Sequence, residues 1–444
     1  MKKSRFFMTL LTVLLVFSAV LSGCSSKNEG ASESKNEGGK SKNGKISGEI
    51  TVITQRTDIV NTVFKDYAKK FNEKYPDVKV NFEALADYGG QITTRMNTDE
   101  YGDVLLIPTQ IPIKDIPDFF EPLGTLEEMQ KKYMGVEERA VNGKVYGIPI
   151  AMSYTGIIYN KKVFKEAGID KLPRTFDEFI AALEKIKKNT KAIPLYTNYA
   201  AGWPLTQWEG TVTTVAGDPD YYNVKMPNED DVWAKGKPHY ELYKLMYDVV
   251  KKGLVEKDPL TTDWESSKAM LGRGEIATMV LGSWAIGQIK GVSETPDDIG
   301  FMPFPTNANK VIIPLGADYQ IAINKHSKNK EAAKAWLYWF INESNYAVEQ
   351  GGGISASKDV PLPEDLKEFE KQGVELSLLT PAKKGQEGLV DKIDKAAEIG
   401  FWLEDQKKRI VEAALGNRDE TYDDIAKDLN KRWNKARAEI MKQQ

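Results

Sequence analysis

The feature that most constrains this fold is an alternation of short apolar runs with amphipathic helical segments. Residues 50–54 form a run rich in β-branched side chains, and apolar residues then recur at helical spacing over 61–75. A second strand is predicted at 78–82, a short helix at 91–97, and a buried strand at 103–107. Alternating strands and helices are typical of a largely parallel sheet covered by helices, so we predict an α/β fold.

The same pattern starts again near residue 156. A strand is predicted at 156–159, and 175–189 is the clearest helix of the chain, since Thr175 and Glu178 form a capping box. Further strands are predicted at 276–281 and 320–323, and further helices at 330–341 and within 392–444. Two α/β units in 444 residues predict two lobes with a cleft between them.

The N-terminus reads as a targeting segment. A basic start precedes sixteen uncharged residues, 6–21, which are short for a membrane span of roughly 20 residues but fit a signal peptide. The segment ends Leu21-Ser22-Gly23-Cys24, which resembles a bacterial lipobox. We therefore predict a lipoprotein signal peptide at 1–23, and lipidated Cys24 with a flexible tether at 24–45. An ordinary signal peptide with an incidental cysteine is the alternative.

Composition excludes several classes of chemistry. With one cysteine, Cys24, and two histidines, His239 and His326, the chain cannot build an internal disulfide, and Cys/His zinc sites or His-dependent triads are disfavoured. The 61 basic and 64 acidic residues give a net charge of −3, unlike that of a basic nucleic-acid-binding protein. We expect no cofactor, no metal and no nucleic-acid partner.

Five groups of residues, in order along the chain, resemble extracellular solute-binding proteins of bacterial ABC importers, in the family that includes maltose-type sugar binders. The groups are YGDV at 101–104; FFEPL at 119–123; GKVYGIP at 143–149 with IYNK at 158–161, AGI at 167–169 and LPRTFDEF at 172–179; GEIATM at 274–279 with GSW at 282–284; and AINK at 322–325 with neighbouring residues to 333. Together they span most of residues 46–345 behind the lipobox.

This resemblance implies a two-lobed, periplasmic-binding-protein-like fold of type II, with an interlobe ligand cleft and three hinge crossings. The crossings are expected near 151–153, 313–316 and 353–355. The first lobe is then 46–151 plus 316–354, and the second is 152–315 plus 355–444 with the C-terminal helices.

Aromatic side chains are the first candidates for ligand contacts, since sugars present flat C–H faces that stack on aromatic rings. Trp203 and Trp208 lie in an aromatic segment without helical or strand periodicity, although a packed aromatic loop is an equal alternative. Trp284 is the leading candidate, because its counterpart in maltose-type relatives stacks on the ligand, and Trp264 is a further candidate. Four tryptophans on amphipathic segments are predicted to be core residues instead: Trp336, Trp339, Trp402 and Trp433.

Polar candidates follow the predicted strand ends, where ligands of open α/β sheets bind. The candidates are Gln55, Arg56 and Asp58 after the first strand, Asp87 and Tyr88, Asp318 and Tyr319, and Glu209 beside Trp208. Arg56 is a possible partner for a buried carboxylate. Ser153 stands where maltose-type relatives carry a cleft glutamate, which argues against maltose as the ligand.

These observations predict a monomeric binding lipoprotein of a carbohydrate ABC transporter, anchored to the extracytoplasmic face of the cell membrane as in Gram-positive-type surface lipoproteins. It would capture a mono- or oligosaccharide and deliver it to the permease, without enzymatic activity. A peptide or polyamine ligand in the same fold is one alternative. A surface carbohydrate-active enzyme is another, and it would need paired carboxylates about 5–9 Å apart.

Overall fold

The computed structural model describes residues 45–442. Cys24 and the predicted signal peptide and tether, apart from Lys45, lie outside the described residues. Thirteen strands are present in this range: β1 (Gly48–Thr54), β2 (Val78–Ala84), β3 (Val104–Leu106), β4 (Gly124–Thr125), β5 (Lys144–Val145), β6 (Gly147–Pro149), β7 (Met152–Asn160), β8 (Ile193–Leu195), β9 (Ile276–Gly282), β10 (Ile299–Met302), β11 (Val311–Ala317), β12 (Gln320–Ile323) and β13 (Val374–Leu378).

The helices of the first half alternate with these strands, as the sequence periodicity predicts. Up to residue 251 they are α1 (Val63–Lys74), α2 (Tyr88–Arg95), α3 (Ile116–Phe119), α4 (Leu126–Lys132), α5 (Lys161–Glu166), α6 (Phe176–Asn189), α7 (Trp203–Thr206), α8 (Val212–Ala216) and α9 (Pro238–Lys251).

The later helices include the long C-terminal ones. They are α10 (Trp264–Gly272), α11 (Trp284–Gly291), α12 (Lys330–Asn342), α13 (Tyr346–Glu349), α14 (Glu364–Lys371), α15 (Leu389–Ala397), α16 (Asp405–Leu415) and α17 (Tyr422–Met441). No helix within residues 45–442 is both long enough and apolar enough to cross a bilayer.

The strands form two main sheets, which confirms the α/β prediction. The first sheet has the order β2-β1-β3-β12-β6, with β1 parallel to β2 and β3, and β12 antiparallel to its neighbours. The second has the order β13-β11-β7-β9-β8, with β10 also paired to β7. We call each sheet with the helices packed on it the first lobe and the second lobe.

The chain passes between the two sheets at three places that lie side by side. The first is 150–151, between β6 and β7, and the second is 318–319, between β11 and β12. The predicted second crossing, 313–316, falls inside β11. In the third passage, after α13, Ile354 forms a bridge with Met152 at the start of β7. The backbone N–H groups of Ile150 and Asp318 donate to Tyr319 and Ala151, respectively.

One apolar cluster fills the first lobe and continues onto β7, β11 and β13 of the second sheet, and two further clusters lie within the second lobe. Trp336 and Trp339 of α12 pack beneath the first sheet, and Trp433 of α17 is buried in the second lobe, as the amphipathic patterns predict. The core prediction for Trp402 is wrong, since 51% of this residue is exposed. It lies in a turn between α15 and α16, because α15 ends at Ala397 with Glu398 in the left-handed conformation, φ of +53°, and Gly400 follows with φ of +71°.

The capping box that identified α6 is present. Thr175 accepts a hydrogen bond from the Glu178 backbone N–H, and the Glu178 carboxylate accepts one from the Thr175 N–H. Thr175→Ala is expected to lower the free energy of unfolding by about 1 kcal/mol, since the Glu178 N–H at the N-terminus of α6 loses its side-chain acceptor.

Urea denaturation checks this value. Thr295→Ala is the matched control, because Thr295 stands at the N-cap of a short 3-10 turn without a side-chain capping bond. Equal destabilisation by both substitutions would contradict the role of the capping box.

Candidate ligand-binding site

A cavity of about 310 Å³ lies beside the start of β7 and the end of β11, next to two of the interlobe passages. Its wall includes Ser153 and Thr155 of β7, Gln207 after α7, and Tyr222 and Trp402 of the second lobe. Larger depressions, of about 650 and 530 Å³, lie beside α6 and beside α16. Neither is lined by a residue that the sequence predicted as a site, so position and chemistry favour the smaller cavity.

Trp402 and Tyr222 form the aromatic wall of this cavity. The Trp402 indole N–H donates to the Tyr222 hydroxyl at 3.0 Å, and the ring centroids are 6.4 Å apart at 62°. Tyr222 lies in a short π-helix, Tyr221–Lys225, and burial raises the pKa of its hydroxyl well above the usual range. An exposed indole held by a hydrogen bond can present a fixed apolar face to a ligand.

Three of the predicted tryptophans meet in a second aromatic cluster. The ring centroids of Trp203 and Trp264 are 4.9 Å apart, those of Trp203 and Trp284 are 5.6 Å apart, and those of Trp264 and Trp284 are 5.9 Å apart. All three side chains are partly exposed. The sequence analysis identified these three residues as candidates but did not predict that they form one surface.

Backbone pairing connects this cluster to the cavity. Gly282, at the end of β9, pairs with Thr155 in the cavity wall, and Trp284 follows two residues later as the first residue of α11. Gly352, in the third interlobe passage, lies against Trp284: a Cβ there would stand 2.8 Å from the Trp284 Cα, and φ is +62°. Glycine at 352 therefore lets the passage run directly over the start of α11.

Two other candidates, Trp208 and Glu209, have side chains buried in the core of the second lobe. Trp208 is 2% exposed and packs edge-on against Phe304, with centroids 5.4 Å apart. Glu209 borders the cavity, but its carboxylate accepts hydrogen bonds from His239 Nε2 at 2.9 Å and the Tyr243 hydroxyl at 2.7 Å. His239 and Tyr243 therefore satisfy the buried carboxylate of Glu209, for which the sequence analysis had considered a ligand or Arg56 as the partner.

Arg56 and Asp58, two polar candidates of the first lobe, form an ion pair. Arg56 makes a bidentate pair with Asp58, at 2.8 and 2.7 Å, and also donates to the Tyr346 hydroxyl and the Gln350 carbonyl. Burial raises the pKa of Asp318, and the positive charge of Arg56 opposes that rise.

The remaining predicted residues of this lobe are anchored locally. The Tyr88 hydroxyl is buried between the N–H and the carbonyl of Leu106, and the ring packs edge-on against Tyr319. Asp87 is exposed and caps α2 through the Gly90 N–H at 3.3 Å, while Gln55 accepts a bond from Thr54. The structure therefore assigns Tyr88 to the core and leaves Asp87 and Gln55 nearer the surface.

Glu138 is a first-lobe residue that the sequence analysis missed. Its carboxylate accepts a hydrogen bond at 3.2 Å from the N–H of Ala317, which lines the cavity. The side chain keeps access to solvent, yet desolvation by the surrounding atoms raises the pKa of its carboxyl to about 7. Glu138 lies between α4 and β5, outside any motif, so only the tertiary structure reveals it.

The cavity wall therefore offers aromatic faces, hydroxyls and an amide of the second lobe, and Glu138 of the first lobe is bonded to Ala317 in that wall. Among the side chains that the structure describes, no group of three or more His, Cys, Asp or Glu is placed to hold a metal ion. The arrangement suits a ligand with apolar faces and several hydroxyls, since aromatic rings stack on apolar faces and side-chain hydroxyls and amides bind hydroxyl groups.

The chain matches known proteins over most of its length. The family model of bacterial extracellular solute-binding proteins matches residues 57–347. Two solved structures from Bifidobacterium animalis subsp. lactis share 36% identity and a TM-score of 0.80 with it: the ABC-transporter binding protein BlMnBP1 with mannobiose, and the manno-oligosaccharide-specific BlMnBP2 with mannotriose. The alignments cover 89% and 88% of this chain and 95% of each of those chains.

A more distant relative is the multiple sugar-binding protein of Streptococcus mutans. It is 25% identical over 80% of this chain and 84% of its own length.

The raised pKa of Glu138 makes stability depend on pH. Its value of about 7, against an ordinary 4.5, means that the folded chain holds this proton more tightly than the unfolded chain. The contribution of Glu138 to stability is therefore full below about pH 4.5 and is lost as the pH rises through 7. Glu138→Gln is expected to flatten the fall in unfolding free energy between these two values.

Urea denaturation at a series of pH values measures this slope. Glu137→Gln removes the same charge one position earlier and is the matched control. Equal flattening by the two substitutions, or no flattening by Glu138→Gln, would contradict the assignment.

Proposed function

The chain belongs to the bacterial extracellular solute-binding proteins, and we propose that it binds a short manno-oligosaccharide in the cleft between its lobes and delivers it to an ABC transporter. The observation that carries this proposal is the 36% identity, over 89% of the chain, to a protein solved with mannobiose. The departure from maltose-type relatives at Ser153 agrees with a ligand other than maltose.

The second lobe would supply the stacking surface. The Trp402 face in the cavity wall fits the C–H face of a sugar ring, and the Tyr222 hydroxyl holds the indole in place. Ser153, Thr155 and Gln207 surround it with side chains that can bind sugar hydroxyls. The Trp203, Trp264 and Trp284 cluster, joined to this wall through β7 and β9, would extend the aromatic surface to further sugar units.

The first lobe would supply charged hydrogen-bonding groups. The Glu138 carboxylate accepts the N–H of Ala317 in the cavity wall, and the positive charge of Arg56 opposes the raised pKa of Asp318. A ligand that contacts both lobes binds the closed form better than the open form and shifts the population towards closure. The three adjacent passages would then act as the hinge between the two lobes.

The proposed cellular setting follows from the family and the N-terminus. An extracellular solute-binding protein works outside the cytoplasm, and Cys24 after its lipobox would anchor it to the outer face of the cell membrane. We propose a monomer that presents its closed form to membrane permease subunits. We also propose that it is a binding protein without catalytic turnover.

Calorimetric titration tests the ligand class. Mannobiose and mannotriose are expected to bind and to raise the unfolding temperature, because they bind only the folded state. Maltose, a tetrapeptide and spermidine serve as the comparison ligands. Binding of the peptide or spermidine alone would overturn the carbohydrate assignment, and release of mannose from mannotriose would identify an enzyme.

Substitution of the aromatic residues tests the site. Trp402→Ala and Trp284→Ala are each expected to weaken mannotriose binding by about thirtyfold, the ~2 kcal/mol typical of truncating a contact hot spot. Leu403→Ala is the matched control, since Leu403 is 60% exposed beside Trp402 and does not line the cavity. Unchanged affinity in either tryptophan variant would remove that residue from the proposed site.

A further inference from the structure

Two oppositely charged side chains hold the peptide groups that precede Trp402. The Asp394 carboxylate accepts hydrogen bonds from the N–H of Gly400 at 2.8 Å and of Phe401 at 3.2 Å. The Lys407 ammonium donates to the carbonyl of Gly400 at 3.2 Å and to that of Phe401. One side chain thus takes both N–H groups and the other takes both carbonyls; we call this arrangement the charge clamp.

The lysine of the charge clamp is buried. Lys407 is 2% exposed, and burial lowers the pKa of its ammonium to about 8. An isolated buried ammonium is strongly destabilising unless opposite charges and hydrogen bonds compensate for its lost hydration. The groups that face this ammonium from the neighbouring elements are the carboxylates of Glu209, Asp394 and Asp405, with His239 bound to Glu209, and the ring of Tyr243, whose centroid lies 5.6 Å away.

The same buried cluster is also linked to the indole ring of Trp402. His239 Nδ1 is hydrogen-bonded to the Tyr221 hydroxyl at 2.9 Å, and the next residue, Tyr222, accepts the indole N–H of Trp402. Tyr221 and Tyr222 share the π-helix Tyr221–Lys225, a rare geometry that is frequent at functional sites. The backbone before Trp402 and the hydroxyl at its indole are therefore both tied to one buried cluster.

Phe401 is 1% exposed, so the peptide groups beside it are withdrawn from water and need partners within the protein. The charge clamp supplies these partners, and the next residue, Trp402, is half exposed beside the cavity. We propose that Asp394 and Lys407 are positioning residues, which fix the Trp402 ring in the orientation that the sugar requires. This inference rests on the proposed function of Trp402 as a stacking surface.

A double-mutant cycle with mannotriose tests the inference. Lys407→Met keeps the length of the side chain but removes its charge and donors, and it is expected to weaken binding at least about tenfold, or ~1.4 kcal/mol. In the Trp402→Ala background the same substitution is expected to change affinity less than about twofold, because residues that act through one another are not additive. Lys408→Met is the matched control, since Lys408 pairs with Glu404 and lies outside the charge clamp.

A spectroscopic measurement reads the Trp402 position without a ligand. The indole N–H resonance of Trp402, identified by its loss in Trp402→Ala, is expected to shift in Lys407→Met and to stay in place in Lys408→Met. Asp394→Asn, which weakens the other side of the charge clamp, is expected to shift the same resonance and serves if Lys407→Met does not fold.

The possible outcomes separate the two proposals. Equal losses of affinity from Lys407→Met with and without Trp402, or an unmoved Trp402 resonance, would overturn the positioning role. Normal mannotriose binding by Trp402→Ala would refute the stacking proposal and the effect of the charge clamp on affinity. A shifted resonance in that case would still show that the clamp orients the indole.

Discussion

A short set of backbone hydrogen bonds around the start of β7 joins the segments that pass between the two lobes, beside an apolar cluster that spans both sheets. Met152 and Ile354 exchange N–H···O bonds of 2.8 and 3.0 Å, and the N–H of Asp318 donates to Ala151 at 3.0 Å. All three interlobe passages are thereby paired with one another, which satisfies peptide groups that would otherwise be buried without partners. The cavity wall, the position of Asp318 and the start of α11 all depend on this ladder.

The site combines groups of different character on the two sides of that ladder. The second lobe presents the Trp402 indole, held at its nitrogen by Tyr222, whereas the carboxylate of Glu138 in the first lobe is bonded to the N–H of Ala317 in the cavity wall. Aromatic faces contribute area but little directional specificity, and charged hydrogen-bonding groups contribute direction. A ligand that satisfies both sets must bridge the lobes, which is why binding and closure would be coupled.

Local sequence patterns predicted the elements but not the surroundings of each side chain. The capping box located α6, and apolar periodicity placed Trp336 in the core. Periodicity failed for Trp402, because α15 ends with Glu398 in the left-handed conformation and the chain then turns through Gly400, which leaves the indole half exposed. Glu209 looked like a cleft carboxylate because its partners, among them His239, lie about thirty residues or more away in sequence and meet it only in the folded chain.

A crystal structure of this chain with mannotriose tests the central claim most directly. We expect the sugar between the lobes, with one ring stacked on Trp402 and with hydroxyls bonded to first-lobe groups such as Glu138. Mannotriose seated on the outer surface of one lobe, or a mannotriose-soaked crystal with an empty cleft, would contradict the claim.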